Sequence, residues 1–163
     1  MKTLLILRHA KSSWKDEGLT DFDRPLNGRG QRDAPRMGTL LREHDLIPDK
    51  ILSSNAVRAR STALLAAEAA GFKGDLELTA DFYLAPPATY LQRLAMLPEE
   101  VGRVMVVGHN PGLEELVAHL TGTDDPFPTA ALAKVNLPIE SWSELTPTTE
   151  GELDGLWLPK EMD

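Results

Sequence analysis

Apolar positions along the chain fall into two kinds of segment, short continuous runs and longer stretches with helical spacing. The runs Leu4-Leu5-Ile6-Leu7 and Val104-Met105-Val106-Val107 are typical of strands buried on both faces, as in parallel sheets. Segments in which leucine, methionine and alanine recur at helical spacing separate such runs, and they predict amphipathic helices. This alternation predicts an α/β fold, a three-layer α/β/α sandwich around a mostly parallel sheet.

The pattern also gives approximate element bounds. Strands are predicted at residues 3–7, 50–53, 76–78, 103–107, 134–137 and 153–158, and helices at residues 28–44, 56–70, 88–96 and 113–120. Gly71 is expected to close the second helix, and Pro35 is expected near the first turn of the first helix or at a kink. Residues 10–30 form a long connection, a kind of loop that is more often functional than idle. No repeat or linker divides the chain, so we expect one domain over residues 1–163.

Composition narrows the class of protein. The chain has 163 residues, of which 42% are apolar and 26% charged, ordinary values for a soluble globular protein. It contains no cysteine, which excludes disulfides, thiolate nucleophiles and cysteine metal sites. No apolar run approaches the roughly 20 residues of a membrane span, and a strand begins too early to leave room for a signal peptide. We therefore expect a cytoplasmic protein that is not bound to a membrane.

The formal net charge is −8, from 17 basic and 25 acidic residues. Nucleic-acid binding usually requires a basic face, and the sequence has no basic cluster of that size. An anionic substrate would also gain nothing from long-range attraction. Any phosphate site must therefore be a local group of arginine and histidine side chains within a negative surface.

Three predicted strands end in residues that can take part in catalysis or ligand binding. The first ends in Arg8-His9, the second leads into the segment 53–62, and the strand at 103–107 leads into Gly108-His109-Asn110-Pro111-Gly112. If the strands are parallel, their carboxyl ends lie at one edge of the sheet, where open α/β sheets bind ligands. Two histidines and at least two arginines would then converge.

Such a group suits phosphoryl transfer. A neutral imidazole such as His9 can attack phosphorus through one ring nitrogen when the other is held as a donor. Arg8 and Arg58 would donate hydrogen bonds to the non-bridging phosphoryl oxygens. A nucleophile and such cationic donors together provide nearly all that phosphoryl transfer requires. Arg60 competes with Arg58 for this role, because it lies about 200° further round the helix and both cannot face the site. The plain alternative for Arg58 is a solvated residue paired with a carboxylate.

His109 follows a glycine that lets the backbone approach a ligand closely. Asn110 is a suitable N-cap and Pro111 a suitable first helical residue, which would direct a helix N-terminus and its dipole towards the site. We therefore expect His109, with Asn110, to contact the phosphoryl group, although a histidine in this place is often only structural. His44 and His119 lack such a context, and we expect surface or core roles for both.

The sequence gives little support for a metal site or a nucleotide-binding site. The neighbours of His9 and His109 are Arg8 and Asn110, and a guanidinium beside a metal ion is unfavourable. The sequence has no His-Glu-x-x-His pattern and no Gly-rich nucleotide fingerprint. We therefore predict neither a catalytic metal nor a nucleotide site of these kinds.

Taken together, three motifs resemble those of the histidine phosphatase superfamily, which has the phosphoglycerate mutase-like fold. They are Arg8-His9, Ser54-x-x-x-Arg58-Ala59-x-x-Thr62 and Gly108-His109-Asn110. The run Arg8–Trp14 and Arg24-Pro25-Leu26 further resemble the SixA-type phosphohistidine phosphatases, and the likeness spans about residues 1–137.

The resemblance implies roles for four residues. His9 would be the transiently phosphorylated nucleophile, and Arg8, Arg58 and His109 would bind the phosphoryl group without a metal or cofactor. Ala10 stands where the family usually has glycine and Asn55 where it usually has proline, and neither replaces a catalytic atom.

The general acid is not identified by this resemblance. Larger members of the family use a carboxylate to protonate an alkoxide leaving group, and Asp81 is our first choice here, with Asp21 or Asp23 as alternatives. A phosphohistidine substrate lessens the need for an acid, because imidazole leaves more easily than an alkoxide.

The sequence therefore favours a phosphohistidine phosphatase that acts on a protein, in signal transduction. The alternatives are a phosphatase for small phosphate esters and a non-catalytic module that binds phosphate or phosphoproteins. The oligomeric state and the physiological partner stay open.

Overall fold

The computed structural model describes residues 1–162 and places the six strands of that range in one mixed sheet. The strands are β1 (Lys2–Arg8), β2 (Lys50–Ser54), β3 (Asp75–Thr79), β4 (Arg103–Gly108), β5 (Leu132–Leu137) and β6 (Glu152–Trp157). Their order across the sheet is β3-β2-β4-β1-β5-β6. The β1–β4, β2–β4 and β2–β3 pairs are parallel, and β5 is antiparallel to both of its neighbours. The sheet is therefore mostly parallel, as predicted.

Four α-helices cover the two faces of the sheet. They are α1 (Gly28–Glu43), α2 (Val57–Ala70), α3 (Pro87–Leu94) and α4 (Gly112–Thr121). Successive side chains of a strand point to opposite faces, so Leu5 and Leu7 pack with α1 and α2 while Leu4 and Ile6 pack with α3 and α4. This is the predicted α/β/α sandwich. No helix within residues 1–162 has both the length and the apolar character needed to cross a membrane.

The predicted elements are confirmed in type, and most bounds agree within two residues. Gly71 ends α2 with a φ of 73°, a left-handed conformation that glycine adopts without steric cost. Pro35 lies inside α1, beyond the first turn, so the first of its two predicted placements is wrong. Proline has no N–H to donate to the carbonyl four residues earlier; here that carbonyl belongs to the exposed Gln31, where water can replace the lost bond.

The close approach of α1 and α2 depends on Gly38. A Cβ atom at this position would overlap the backbone carbonyl of Ala66. Gly38→Ala should therefore lower the free energy of unfolding by about 1–3 kcal/mol, the usual cost of overpacking a core. Gly28, at the start of the same helix, has open space around its Cβ position, so Gly28→Ala is the matched control. Urea unfolding of both variants checks this expectation, which equal stability of the two would contradict.

Candidate active site

The sheet brings the carboxyl ends of β2, β4 and β1 side by side. In the parallel register, Arg8 pairs with Gly108 and Ser53 pairs with Val107. The backbone N–H of His9 then donates to the carbonyl of Gly108 over 3.0 Å. His9 and His109 each follow the end of a strand, and their ring centroids are 5.2 Å apart. The geometry therefore brings the two histidines together as the sequence predicted.

A cavity of about 410 Å³ opens at this edge of the sheet, and we call it the catalytic cavity. It contains five of the predicted site residues, Arg8, His9, Arg58, His109 and Asn110, together with Asp21, one of the alternatives for the acid. The other lining residues come from the loops around the strand ends: Lys11, Ser12, Trp14, Arg24, Leu84 and Thr129.

His9 is held with one ring nitrogen bonded and the other free. Its Nδ1 donates to the carbonyl of Ala10 over 2.7 Å, which leaves Nε2 with a lone pair and no hydrogen bond. Burial, with smaller contributions from His109, Arg58 and Arg8, lowers the pKa of His9 to about 3. At neutral pH the ring is therefore uncharged, the state in which imidazole is a nucleophile.

His109 lies beside His9 and is almost fully buried, with 1% of its surface exposed. Its Nε2 is 2.8 Å from the hydroxyl oxygen of Ser54, and its Nδ1 is buried without a hydrogen-bond partner. Burial and the positive charge of Arg58 lower the pKa of His109 to about 4. Both histidines are thus neutral near pH 7.

The orientation of α2 decides between the two arginines of that helix. Arg58 is buried and lines the catalytic cavity, whereas Arg60 is exposed. One terminal nitrogen of Arg58 donates to the carbonyl of Asp21 over 2.7 Å and the other to its carboxylate over 3.0 Å. Arg8 donates to the carbonyl of Phe127 over 3.2 Å. Both guanidiniums therefore have fixed positions at the cavity.

Unpartnered buried donors are concentrated at the cavity. Within residues 1–162, five buried side-chain nitrogen or oxygen atoms have no partner, and three of them are Arg8 Nε, Arg58 Nε and His109 Nδ1. A buried polar group without a hydrogen bond costs about 1–3 kcal/mol. Such donors on residues that line one cavity suit an anion with several acceptor oxygens, such as a phosphoryl group.

Within residues 1–162, Asp21 is the only carboxylate that lines the catalytic cavity. Besides Arg58, it bonds Arg24 through its Oδ1 atom and accepts a hydrogen bond from the hydroxyl of Tyr83. Burial alone would raise the pKa of Asp21, but the hydrogen bonds from Tyr83 and Arg58 and the arginine charges outweigh it and lower the pKa to about 2. Asp21 is therefore ionised at neutral pH.

The structure does not bring our first choice for the acid to the cavity. Asp81 is exposed in a 3-10 turn that Thr79 caps, and it is not among the lining residues. Asp23 is also exposed, and its carboxylate accepts a hydrogen bond from Thr20. Of the three predicted carboxylates, only Asp21 reaches the site, because the loop before α1 folds back over α2.

The start of α4 differs from prediction. Pro111 occupies the N-cap position and Gly112 is the first helical residue. Asn110 instead precedes the cap, where its Oδ1 accepts from the backbone N–H of Glu114 over 3.2 Å and its Nδ2 donates to the carbonyl of Phe127 over 2.8 Å. Asn110 lines the cavity, and its side chain caps the first turn of α4 through Glu114 while it also bonds the loop at Phe127.

Two apolar side chains stand at the rim of the cavity and were not singled out as site residues from the sequence. Trp14 is 74% exposed and Leu84 is 55% exposed. The guanidinium carbon of Arg24 lies 3.4 Å from the ring centroid of Trp14, close enough for a cation–π contact. Leu84 has a φ of 51°, an uncommon conformation for a residue with a side chain. The entrance is thus apolar while the interior is polar.

The remaining histidines lie elsewhere. His44 and His119 are exposed and do not line the catalytic cavity, which agrees with the surface roles expected of them. Residues 1–162 contain no group of three or more histidine, cysteine or acidic side chains placed to hold a metal ion.

Comparison with known proteins gives the family. The model of the histidine phosphatase superfamily (branch 1) matches residues 4–83. An uncharacterized chloroplastic protein of Arabidopsis thaliana is 32% identical over 170 aligned positions, covering 97% of this chain and 78% of its own length.

Solved structures show the same fold. The "putative phosphohistidine phosphatase SixA" of Agrobacterium tumefaciens is 32% identical, with a TM-score of 0.83 over 97% of this chain and 98% of that one. The protein histidine phosphatase SixA in complex with tungstate is 24% identical and has a TM-score of 0.84 over 99% of each chain. The predicted fold and the predicted enzyme class, a phosphatase, are confirmed, and the chain belongs to the histidine phosphatase superfamily.

Proposed function

We propose that this protein is a phosphatase that hydrolyses phosphohistidine on a protein through a phosphorylated His9. The observation that carries this proposal is the contrast between the groups of the catalytic cavity. Two neutral imidazoles and three guanidiniums surround the space, whereas Asp21, the single carboxylate among the lining residues of 1–162, is ionised and bonded to arginines.

His9 supplies the nucleophile in this mechanism. Its Nε2 lone pair attacks phosphorus while the bond between phosphorus and the substrate nitrogen breaks, and the released imidazole takes up a proton from solvent, which the hydrolytic water of the next step replaces. Arg8, Arg58 and His109 donate hydrogen bonds to the phosphoryl oxygens, where negative charge is concentrated. Water then attacks phospho-His9, which gives inorganic phosphate and regenerates neutral His9.

We propose cleavage of a phosphorus–nitrogen bond because no carboxyl group of the cavity within residues 1–162 can act as the general acid. An alkoxide leaving group needs a proton from a general acid whose pKa lies near the working pH. Asp21, with a pKa of about 2, is too acidic to hold that proton at neutral pH. Imidazole needs less assistance, so the site suits a phosphoramidate better than an alkyl phosphate.

Two features favour a protein over a small molecule as the substrate. Exposed Trp14 and Leu84 form an apolar rim around the polar cavity, and exposed apolar groups with polar surroundings are typical of protein contact sites. A second cavity of about 440 Å³ adjoins the first and shares Arg8 and Asn110 with it. The segment of a phosphoprotein that flanks its phosphohistidine would have room there.

Substrate comparison tests the proposal. We would measure kcat/KM for a phosphohistidine protein, for phosphoramidate, which has the same bond without a ring or a protein, and for p-nitrophenyl phosphate and an alkyl phosphate ester. We expect the order phosphohistidine protein, phosphoramidate, aryl ester, alkyl ester. Faster turnover of the alkyl ester would favour the small-ester phosphatase. Binding of phosphate or phosphoprotein without any turnover would favour the non-catalytic module.

The carboxylates provide a further prediction. Asp81→Asn should leave kcat/KM within twofold for phosphoramidate and for an alkyl phosphate, because Asp81 is exposed and outside the cavity. Asp21→Asn loosens Arg58 and should lower kcat/KM about 3- to 10-fold, the scale of one weakened charged hydrogen bond, by the same factor for both substrates. A loss confined to the alkyl ester would instead make Asp21 the general acid.

A further inference from the structure

Ser54, the last residue of β2, forms hydrogen bonds both with the main chain and with the ring of His109. It is fully buried. Its hydroxyl oxygen accepts the backbone N–H of Ala56 over 3.2 Å and lies 2.8 Å from Nε2 of His109. The sequence motif contained this residue, but no chemical role could be assigned to it from the motif.

The donors and acceptors available to Ser54 and His109 determine which of the two residues donates in their hydrogen bond. A serine hydroxyl has one proton to donate, and a buried donor without an acceptor is costly. The Ala56 contact uses the oxygen as acceptor, and within residues 1–162 the only acceptor for the hydroxyl proton is His109 Nε2. Ser54 therefore donates and Nε2 accepts, so a neutral His109 carries its own proton on Nδ1.

We propose that Ser54 is a positioning residue that keeps the ring proton of neutral His109 on Nδ1, where it serves as a donor to the phosphoryl group. This inference rests on the proposed function. It also explains why Nδ1 is buried without a protein partner, because an anionic oxygen in the cavity would accept its hydrogen bond. His9 carries its proton on Nδ1 as well, bonded to Ala10, which leaves its Nε2 free to attack.

Near neutral pH, protonation of the His109 ring cannot take over the role of Ser54 in keeping a proton on Nδ1. The charged and titratable groups around His109 include Arg8 and His9 from the end of β1, Arg58 from α2, and Asp21 and Arg24 from the loop before α1. Two tyrosines complete the surroundings, Tyr83 beside the ring and Tyr90 of α3 at the backbone of His109. Three of the groups around His109 are cations and one is an anion, so a positive charge on His109 is disfavoured. Without Ser54, a neutral ring could move its proton to Nε2 and lose the donor on Nδ1.

Ser54→Ala and Ser53→Ala make a matched pair for the test. Both serines are fully buried on β2, but the hydroxyl of Ser53 donates to the main-chain carbonyl of Ser54 and not to a histidine. The first readout is the ¹⁵N NMR spectrum of histidine-labelled protein, which reports the protonated nitrogen of His109. The second is the Kd of inorganic phosphate, and the third is the dependence of kcat/KM on pH with phosphoramidate as substrate.

For wild type and Ser53→Ala we expect protonated Nδ1 and the same pH profile. For Ser54→Ala we expect a larger share of protonated Nε2, weaker phosphate binding and a loss of kcat/KM of about 10- to 100-fold near neutral pH. The loss should shrink as the pH falls towards the pKa of His109, about 4, because a protonated ring again donates from Nδ1.

Protonated Nε2 in the wild type would overturn the proposal, as would a Ser54→Ala variant that matches Ser53→Ala in all three readouts. If the wild type hydrolyses no substrate, the proposed function fails, whereas the NMR spectrum and the phosphate Kd still decide the role of Ser54.

Discussion

Replacement of His9 by alanine is expected to lower the turnover of every phosphorylated substrate by about 10⁴-fold or more, the scale for loss of a covalent nucleophile. His9 is the only group of the cavity with a free imidazole lone pair whose opposite nitrogen is held by the backbone. Rapid-quench experiments should trap an acid-labile, base-stable phosphoenzyme on the wild type, and none on His9→Ala.

Two further variants protect this interpretation. His9→Gln keeps a side chain of similar size, so it should lose the phosphoenzyme while retaining the stability of the wild type. His44→Ala removes an exposed histidine outside the cavity and should leave both the phosphoenzyme and the rate unchanged. A phosphoenzyme that persists in His9→Gln would place the nucleophile on another residue.

Replacement of Arg58 by alanine should have the second largest effect, a loss of about 10²- to 10³-fold in kcat, the scale for one donor to a developing oxyanion. The planar guanidinium is fixed by two hydrogen bonds to Asp21, so it presents its other N–H groups without reorganisation. Arg58→Lys should recover only part of the loss, because an ammonium group lacks the planar fork of donors.

Arg60→Ala is the matched control, since Arg60 lies on the same helix but is exposed. It should change kcat and KM by less than twofold. Because Arg58 is buried, the urea unfolding of Arg58→Ala must be measured alongside its kinetics. Comparable losses of activity in Arg58→Ala and Arg60→Ala at equal stability would contradict the assignment.

Much of this site could be predicted because buried strands are recognisable from their runs of aliphatic residues. The aliphatic runs before Arg8 and Gly108 identify buried strands, and parallel strands end at one edge, so the meeting of His9 and His109 follows from the sequence. The choice between Arg58 and Arg60 could not be made in the same way. It depends on the rotation of α2 about its axis, which is set by packing against α1 and the sheet.

The choice of Asp21 over Asp81 and Asp23 could not be made from the sequence for a different reason. The loop before α1 folds back on itself, with Ser13 and Asn27 donating to the carbonyls of Pro25 and Lys11. This places Asp21 over Arg58, a contact between residues far apart in sequence that no periodic pattern encodes.

Asp81 and Asn110 also lie in surroundings that the sequence pattern did not predict. Asp81 follows a strand end and looked well placed in the sequence, but its turn directs it to the surface. The side chain of Asn110 bonds the first turn of α4, as a helix cap does, and also Phe127, a distant residue that the sequence pattern could not place beside it.

The ion pairs of Asp21 with Arg58 and Arg24 also bear on how the enzyme finishes its cycle. They neutralise part of the positive charge that faces the product, inorganic phosphate, and so limit how tightly this dianion is held. A cavity with the same arginines and no carboxylate would retain phosphate and be inhibited by it. We therefore expect the ionised Asp21 to favour release of inorganic phosphate.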